Sequence, residues 1–258
     1  MITSLHNPRI KEIRLLNSAS KHRLKSGLYA AEGIRLLEEA LQAGQRPELV
    51  IYTEDLDQRG STLVEHFQSL SVLCEPVTSQ VLQAASDTES PQGILAVLPI
   101  SPLALPDQPN LVLILDAIRD PGNLGTLMRT CLATGADGLL LGPGTVDSYS
   151  PKVVRSAMGA HFRLPVVSAS WKEIASLTRG MGLYLADMDQ GESLWEADLT
   201  KPLGIILGGE AHGPGKQARS LAGESIHIPM EAAAESLNAA IAGAILLFEV
   251  KRQRAKGS

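Results

Sequence analysis

Cysteine is nearly absent from this chain: 258 residues contain only Cys74 and Cys131. The two lie far apart and match no metal-ligand spacing, so both read as small buried hydrophobes of a reducing compartment. No apolar stretch is long and continuous enough to span a bilayer. The opening "MITSLHNPRIKEIRLLNSASKHRLKSG" lacks the apolar run of a secretory signal. Also missing are the two glycine patterns that cradle phosphates, G-x-G-x-x-G between strand and helix and G-x-x-x-x-G-K-[ST]. Internal repeats and low-complexity tracts are absent as well. What remains is a cytoplasmic globular protein, with no cysteine metal spacing and no ordinary dinucleotide or P-loop chemistry.

What is present has ordinary proportions: 44% hydrophobic and 20% charged residues, enough for one large domain or two smaller ones. The net charge of −5 is unevenly spread. Residues 1–35 carry Arg9, Lys11, Arg14, Lys21, Arg23, Lys25 and Arg35 against Glu12 and Glu32. The carboxy-terminal end adds Lys251, Arg252, Arg254 and Lys256 with no acid. Charge segregated in this way can draw a polyanion to one face of an acidic protein. For the amino-terminal cluster a docking surface and a solvated helix are equally good readings. The carboxy-terminal cluster reads better as cations offsetting a helix dipole.

The clearest boundary is "LPISPLALPDQPN", where Pro99, Pro102, Pro106 and Pro109 deny backbone donors and stiffen the chain. It predicts a first domain over 1–98, a linker over 99–110 and a second domain over 111–258. In the first, "NPRIKEIRLLNSASKHRLKSG" reads as helical with Ile10, Ile13, Leu16 and Leu24 inward, and "EGIRLLEEALQAG" as a helix closed by Gly44. "ELVIYT" and "GILAVL" are short strands; "LVEHFQSL" and "SQVLQAASD" are helical, which makes a small α/β unit. The second domain alternates strands "LVLILD", "DGLLLG", "LYLAD", "LGIILGG" and "SIHIPM" with helices, the last being "SLNAAIAGAILLFEVKRQR". That pattern predicts a mainly parallel sheet covered on both faces, with ligands beyond the carboxyl ends of its strands.

Three polar loops stand where that rule places a site. In "DAIRDPGNLGTLMRT", Pro121 and Gly122 force a turn and Asn123 reads as a helix cap. Arg129 shares a helix face with Gly125 and leans toward the loop, unless it merely pairs with Asp120. "LGIILGGEAHGPG" is a glycine-dense turn in which Glu210 could orient a cation and His212 reads as a turn residue. In "IHIPMEAAAESLNAAIAGAILLFEV", Ser236 reads as the cap and Asn238 as a first-turn residue. The following helix carries Ala239, Ala240, Ala242, Gly243 and Ala244, small residues suited to close packing in the core or against a second subunit.

Taken together and in this order, "DPGNLGTLMRT", "LGGEAHG" and "IPMEAAAESLN" resemble the three motifs of the SpoU/TrmH branch of the SPOUT RNA methyltransferases. The stretches "SLHNPRIKEIRLL", "AEGIRLLEEAL" and "SPQGILAVL" resemble that branch's substrate-binding domain, so the likeness spans nearly the whole chain. One departure is Ala232, where the family usually has glycine; a left-handed backbone there would strain alanine.

The resemblance implies a small α/β RNA-binding domain followed by a SPOUT α/β domain with a deep trefoil knot. It implies a homodimer that binds S-adenosylmethionine and methylates a ribose 2′-hydroxyl of RNA, with ribosomal RNA favoured over tRNA. It assigns Asn123, Arg129, Glu210, Ser236 and Asn238 to catalysis. Leu207, Gly209, Ile228, Met230, Ser236, Leu237 and Asn238 would hold the cofactor. Arg9, Lys11, Arg23, Lys25 and Arg35 are the candidate RNA contacts. The alternatives are a tRNA 2′-O-methyltransferase, an RNA-binding scaffold with a degenerate methyltransferase half, and a nucleotide-binding metabolic enzyme.

Overall fold

The computed structural model describes residues 1–256 apart from 189, 210–212 and 232–235. The chain divides into two units, Met1–Ser101 with Asp147–Phe162, and Pro102–Val146 with Arg163–Ser258.

In unit 1, α1 (Pro8–Ser18) starts under a cap in which Asn7 accepts from the Arg9 amide, with Pro8 in the first turn where a missing N–H costs nothing. Ile10, Ile13 and Leu16 form its buried stripe. Ala19 adopts an extended conformation and breaks the helix before α2 (Ser20–Ser26). The break rotates the second helix relative to the reading above. Leu24, expected inward, is 76% exposed, and Arg23 is buried instead.

That burial corrects the assignment of Arg23 to RNA. Its Nε and Nη2 donate to Asp147 Oδ2 at 2.9 and 2.5 Å, and its Nη1 donates to the Leu16 carbonyl. Burial alone would raise the Asp147 carboxyl. The Tyr149 amide and Arg23 outweigh it and hold the group below its ordinary range.

The sheet of unit 1 consists of β1 (Leu28–Glu32), β2 (Leu49–Tyr52), β3 (Leu73–Pro76) and β4 (Ile94–Pro99), in the order β1-β4-β2-β3. Only the β2–β3 pair is parallel. Helices α3 (Ile34–Gln42) and α4 (Gln58–Ser69) cover one face through Leu37 and Phe67; α1 and α5 (Ser79–Ala85) cover the other through Ile13 and Val81. Strands β1 and β3 escaped the sequence reading. "LYAA" is short and runs directly on from a helix, while "LCEP" has no fully buried residue and ends in proline.

Unit 2 is built on β5 (Leu111–Asp116), β6 (Gly138–Leu141), β7 (Val166–Ser168), β8 (Gly182–Asp187), β9 (Glu192–Ser193), β10 (Leu203–Gly208) and β11 (Glu224–His227). Their order is β7-β6-β5-β10-β8-β11-β9, and every pair is parallel. Strands buried on both faces need continuous apolar runs, which "LVLIL" and "LGIIL" supply. Helices α8 (Trp171–Leu177) and α9 (Lys216–Leu221) cover one face through Ile174 and Ala218. On the other, α6 (Pro121–Thr134) packs against α10 (Ala239–Lys256). Gly243 makes that approach possible, because a Cβ there would run into Leu127 of α6 and touch Leu207 of β10.

The carboxy-terminal cations anchor this helix. Lys251 Nζ donates to the Ala133 carbonyl at 2.6 Å near the end of α6, Arg252 pairs with Glu249, and Arg254 donates to the Leu199 and Lys201 carbonyls.

Residues 147–162 depart from the expected division, in which they belonged to the second domain. The chain leaves unit 2 after β6, forms α7 (Pro151–Ala157) within unit 1, and returns before β7. Val154 and Phe162 complete the core around Tyr29. The Tyr149 ring centre lies 4.9 Å from that of Tyr29 and 5.2 Å from that of His161, tilted against both. The His161 Nε2 lies 2.7 Å from the Ser148 carbonyl, and burial pushes its pKa down to about 4. Nothing in "PKVVRSAMGA" distinguishes this excursion from an ordinary crossover helix.

Candidate active site

The site begins where β5 and β10 end side by side, with Gly208 in register with Asp116. Asp116 is buried and its Oδ2 accepts from the Gly215 amide at 2.6 Å, stapling the start of α9 to the end of β5. Ala117 next to it has φ of 56°, a left-handed conformation that costs a non-glycine residue about 1 kcal/mol. Gly209 lies against it: a Cβ there would stand 2.5 Å from the Ala117 carbonyl oxygen. Glycine is needed at 209 for the two loops to stack backbone on backbone.

Two capping expectations change. The cap of α6 is Asp120, whose Oδ1 accepts from the Asn123 amide at 2.8 Å. Asn123 is thereby a residue of the first turn. At α10 it is Asn238, not Ser236, that caps: its Oδ1 accepts from the amides of Ala240 and Ile241 at 2.9 and 3.3 Å. The remaining end of that side chain, Nδ2, donates to Asn123 Oδ1 at 3.0 Å. One hydrogen bond therefore joins the first and third motif stretches. Arg129 is exposed on α6 and, among the described residues, makes no ion pair, with Asp120 or any other acid. Glu210 and Ala232 lie outside the described residues.

Beside this bridge is a cavity of about 470 Å³. Leu207, Gly209, Ile228, Met230, Ser236 and Leu237 line it, so six of the seven expected cofactor residues come together; Asn238 lies between the lining residues Leu237 and Ala239 without lining it. The sequence reading missed Ala186, Asp187, Arg219, Ala242 and Leu246, which also form its wall. A signal existed for Asp187. It ends "LYLAD" at a strand's carboxyl terminus, as Asp116 ends "LVLILD".

The lining suits an adenosine-bearing ligand. Leu207, Ile226, Ile228, Met230 and Leu237 offer apolar surface to a flat base, strand-end backbone lies next to them, and the charged side chains among the described residues of the wall are Asp187 and Arg219. In unit 1, Arg9, Lys11, Lys25 and Arg35 are exposed, and Arg9 also pairs with Glu75.

Known proteins resemble this chain from end to end. The 23S rRNA (guanosine(2553)-2'-O)-methyltransferase RlmP of Bacillus subtilis is 32% identical, over 97% of this chain and 98% of its own. The AdoMet-bound rRNA methyltransferase of Sinorhizobium meliloti superposes with a TM-score of 0.85 at 30% identity, covering 97% of each chain. The SpoU methyltransferase AviRb of Streptomyces viridochromogenes, solved with AdoMet, superposes with a TM-score of 0.87 at 26% identity, over 98% of this chain and 100% of its own. Residues 7–96 match the MRM3-like substrate binding domain. Residues 110–248 match the SpoU rRNA Methylase family, and the chain belongs to that family.

Proposed function

We propose that this chain transfers a methyl group from S-adenosylmethionine to a ribose 2′-hydroxyl of ribosomal RNA. The observation that carries the reading is the Asn238–Asn123 hydrogen bond beside an apolar cavity at the carboxyl edge of a parallel sheet. When bound, the cofactor supplies a methyl group on a sulfonium, already a good leaving group. The protein's task is then alignment and management of one proton.

Leu207, Ile228, Met230 and Leu237 would hold the cofactor, which would supply the methyl group to the ribose oxygen as that hydroxyl gives up its proton to bulk water. Asn123 and Asn238 fix each other across the site and hold the ribose edge. A guanidinium offers donors and no acceptor, so Arg129 steadies the developing alkoxide and the neighbouring phosphate rather than taking the proton. Ser236 closes the cavity wall. Transfer of a tritiated methyl group to unmodified 23S rRNA, with tRNA in a parallel arm, tests this reading; label on tRNA alone overturns the substrate assignment.

The same reading includes a deep trefoil knot in unit 2, a cytoplasmic setting and a homodimer built on α10. Supporting the dimer, Ile241 and Phe248 stand one heptad apart on that helix and are 52% and 50% exposed. Phe248→Glu is expected to halve the mass measured by light scattering. An unchanged mass would place the interface elsewhere.

A further inference from the structure

We propose that Asp187, held in place by Arg219, receives the ribose hydroxyls of the adenosine half of S-adenosylmethionine. The inference rests on the methyltransferase reading and adds a ligand contact that none of the three motif stretches contains.

Asp187 closes β8, the strand between β10 and β11, and those neighbours carry Leu207, Gly208 and Ile226 of the cavity wall. Its side chain is only 9% exposed, yet it lines the cavity. Oδ1 accepts from the Met188 amide at 2.8 Å, and Oδ2 accepts from Arg219 Nη1 at 3.0 Å. Arg219 is fixed in turn by a bond from its Nε to the Pro214 carbonyl at 3.2 Å. The carboxylate is thus oriented from two directions, by the backbone just past β8 and by Arg219 of α9. A carboxylate accepts in about four directions, so it can add a hydroxyl donor to the partners it already has.

Charge decides what kind of group it takes. Asp187 is already paired with a guanidinium, so a ligand cation gains little from it, whereas a hydroxyl donates to a carboxylate without needing net charge. An acid at the end of a parallel strand, beside an apolar slot fit for a base, is an arrangement that receives a ribose in other α/β sheets. The slot here is formed by Leu207, Ile226, Ile228 and Leu237.

The consequence is selection for a ribonucleoside. A site built to hydrogen-bond a hydroxyl rejects the analogue lacking it. Calorimetric titration of the whole protein with the demethylated product, S-adenosylhomocysteine, and with its 2′-deoxy and 3′-deoxy forms reads this directly. The native protein is expected to bind at least one deoxy form about tenfold more weakly, about 1.4 kcal/mol. In Asp187→Ala the parent ligand should weaken by a similar factor and the gap between ribo and deoxy forms should close. Arg219→Ala should narrow the gap without closing it, as expected of a residue that acts through Asp187. Equal binding of all three ligands by the native protein overturns the proposal, without needing any variant to fold. So does a gap that survives in Asp187→Ala. Failure to bind any of the three ligands overturns the methyltransferase reading, and this inference with it.

Discussion

In unit 1 the unusual polar groups face inward: Arg23 against the part-buried Asp147, and His161 in an aromatic cluster with Tyr29 and Tyr149. In unit 2 they gather at the carboxyl edge of the sheet, where Asp116 adjoins the strained Ala117, Asn123 bonds Asn238, and Asp187 lines the cavity. A sealed polar group makes a fold specific. A polar group kept at the mouth of an apolar cavity can meet a ligand. The two units thus use similar residue types for different ends, and substitutions in each should fail differently.

The largest effect is expected at the open edge. Arg129→Ala should lower methyl transfer by about 100- to 1000-fold, the usual cost of removing one stabiliser of a developing oxyanion. S-adenosylhomocysteine affinity should stay within a few-fold, since Arg129 does not line the cavity. Full activity in this variant would end the role given to it.

At the sealed pair, Arg23→Ala strands the Asp147 carboxylate and should cost unit 1 about 3–5 kcal/mol of stability. Urea unfolding monitored by circular dichroism measures it. A loss below about 1 kcal/mol would mean the pair behaves like a surface contact.

His161 gives a pH test of the same seal. Burial holds its folded pKa near 4, below the ordinary value near 6.5. Between those values the unfolded chain binds more protons, so stability rises with pH across the window and is lost as pH falls through it. The loss approaches about 3 kcal/mol at the lower end. His161→Gln should flatten the dependence between pH 7 and 4.5. An unaltered slope would assign it to other groups.

The contrast also explains what could be read from the amino-acid order. Strand ends and the three polar loops of unit 2 were legible because a parallel sheet imposes long apolar runs and puts its ligands at one edge. The capping residues were not, since Asp120, Asn123, Ser236 and Asn238 all favour helix starts and only the turn geometry chooses among them. Arg23 was misread because charge says nothing about direction: the break at Ala19 rotates α2 and exchanges the places of Arg23 and Leu24. The excursion of 147–162 was invisible because Val154 and Phe162 would suit the core of either unit. Asp187 was visible, but no motif drew attention to it.

The smallest effect concerns the cations that remain exposed. With Arg23 buried and Arg9 paired to Glu75, the amino-terminal candidates for phosphate contact reduce to Lys11 and Lys25, with Arg35 on α3. Each phosphate contact on a single strand contributes about −0.7 to the slope of log K against log salt, because each releases counterions. Lys11→Ala with Lys25→Ala should flatten that slope by about twice 0.7 while leaving stability and S-adenosylhomocysteine binding unchanged. Contacts of this kind position RNA without reading its bases, so the methylated nucleotide should stay the same as affinity falls. Set beside Arg23→Ala, which should change stability first, the double variant separates docking cations from a structural one across α1 and α2. An unchanged slope would make α1 and α2 a solvated face and move the RNA surface elsewhere in the molecule.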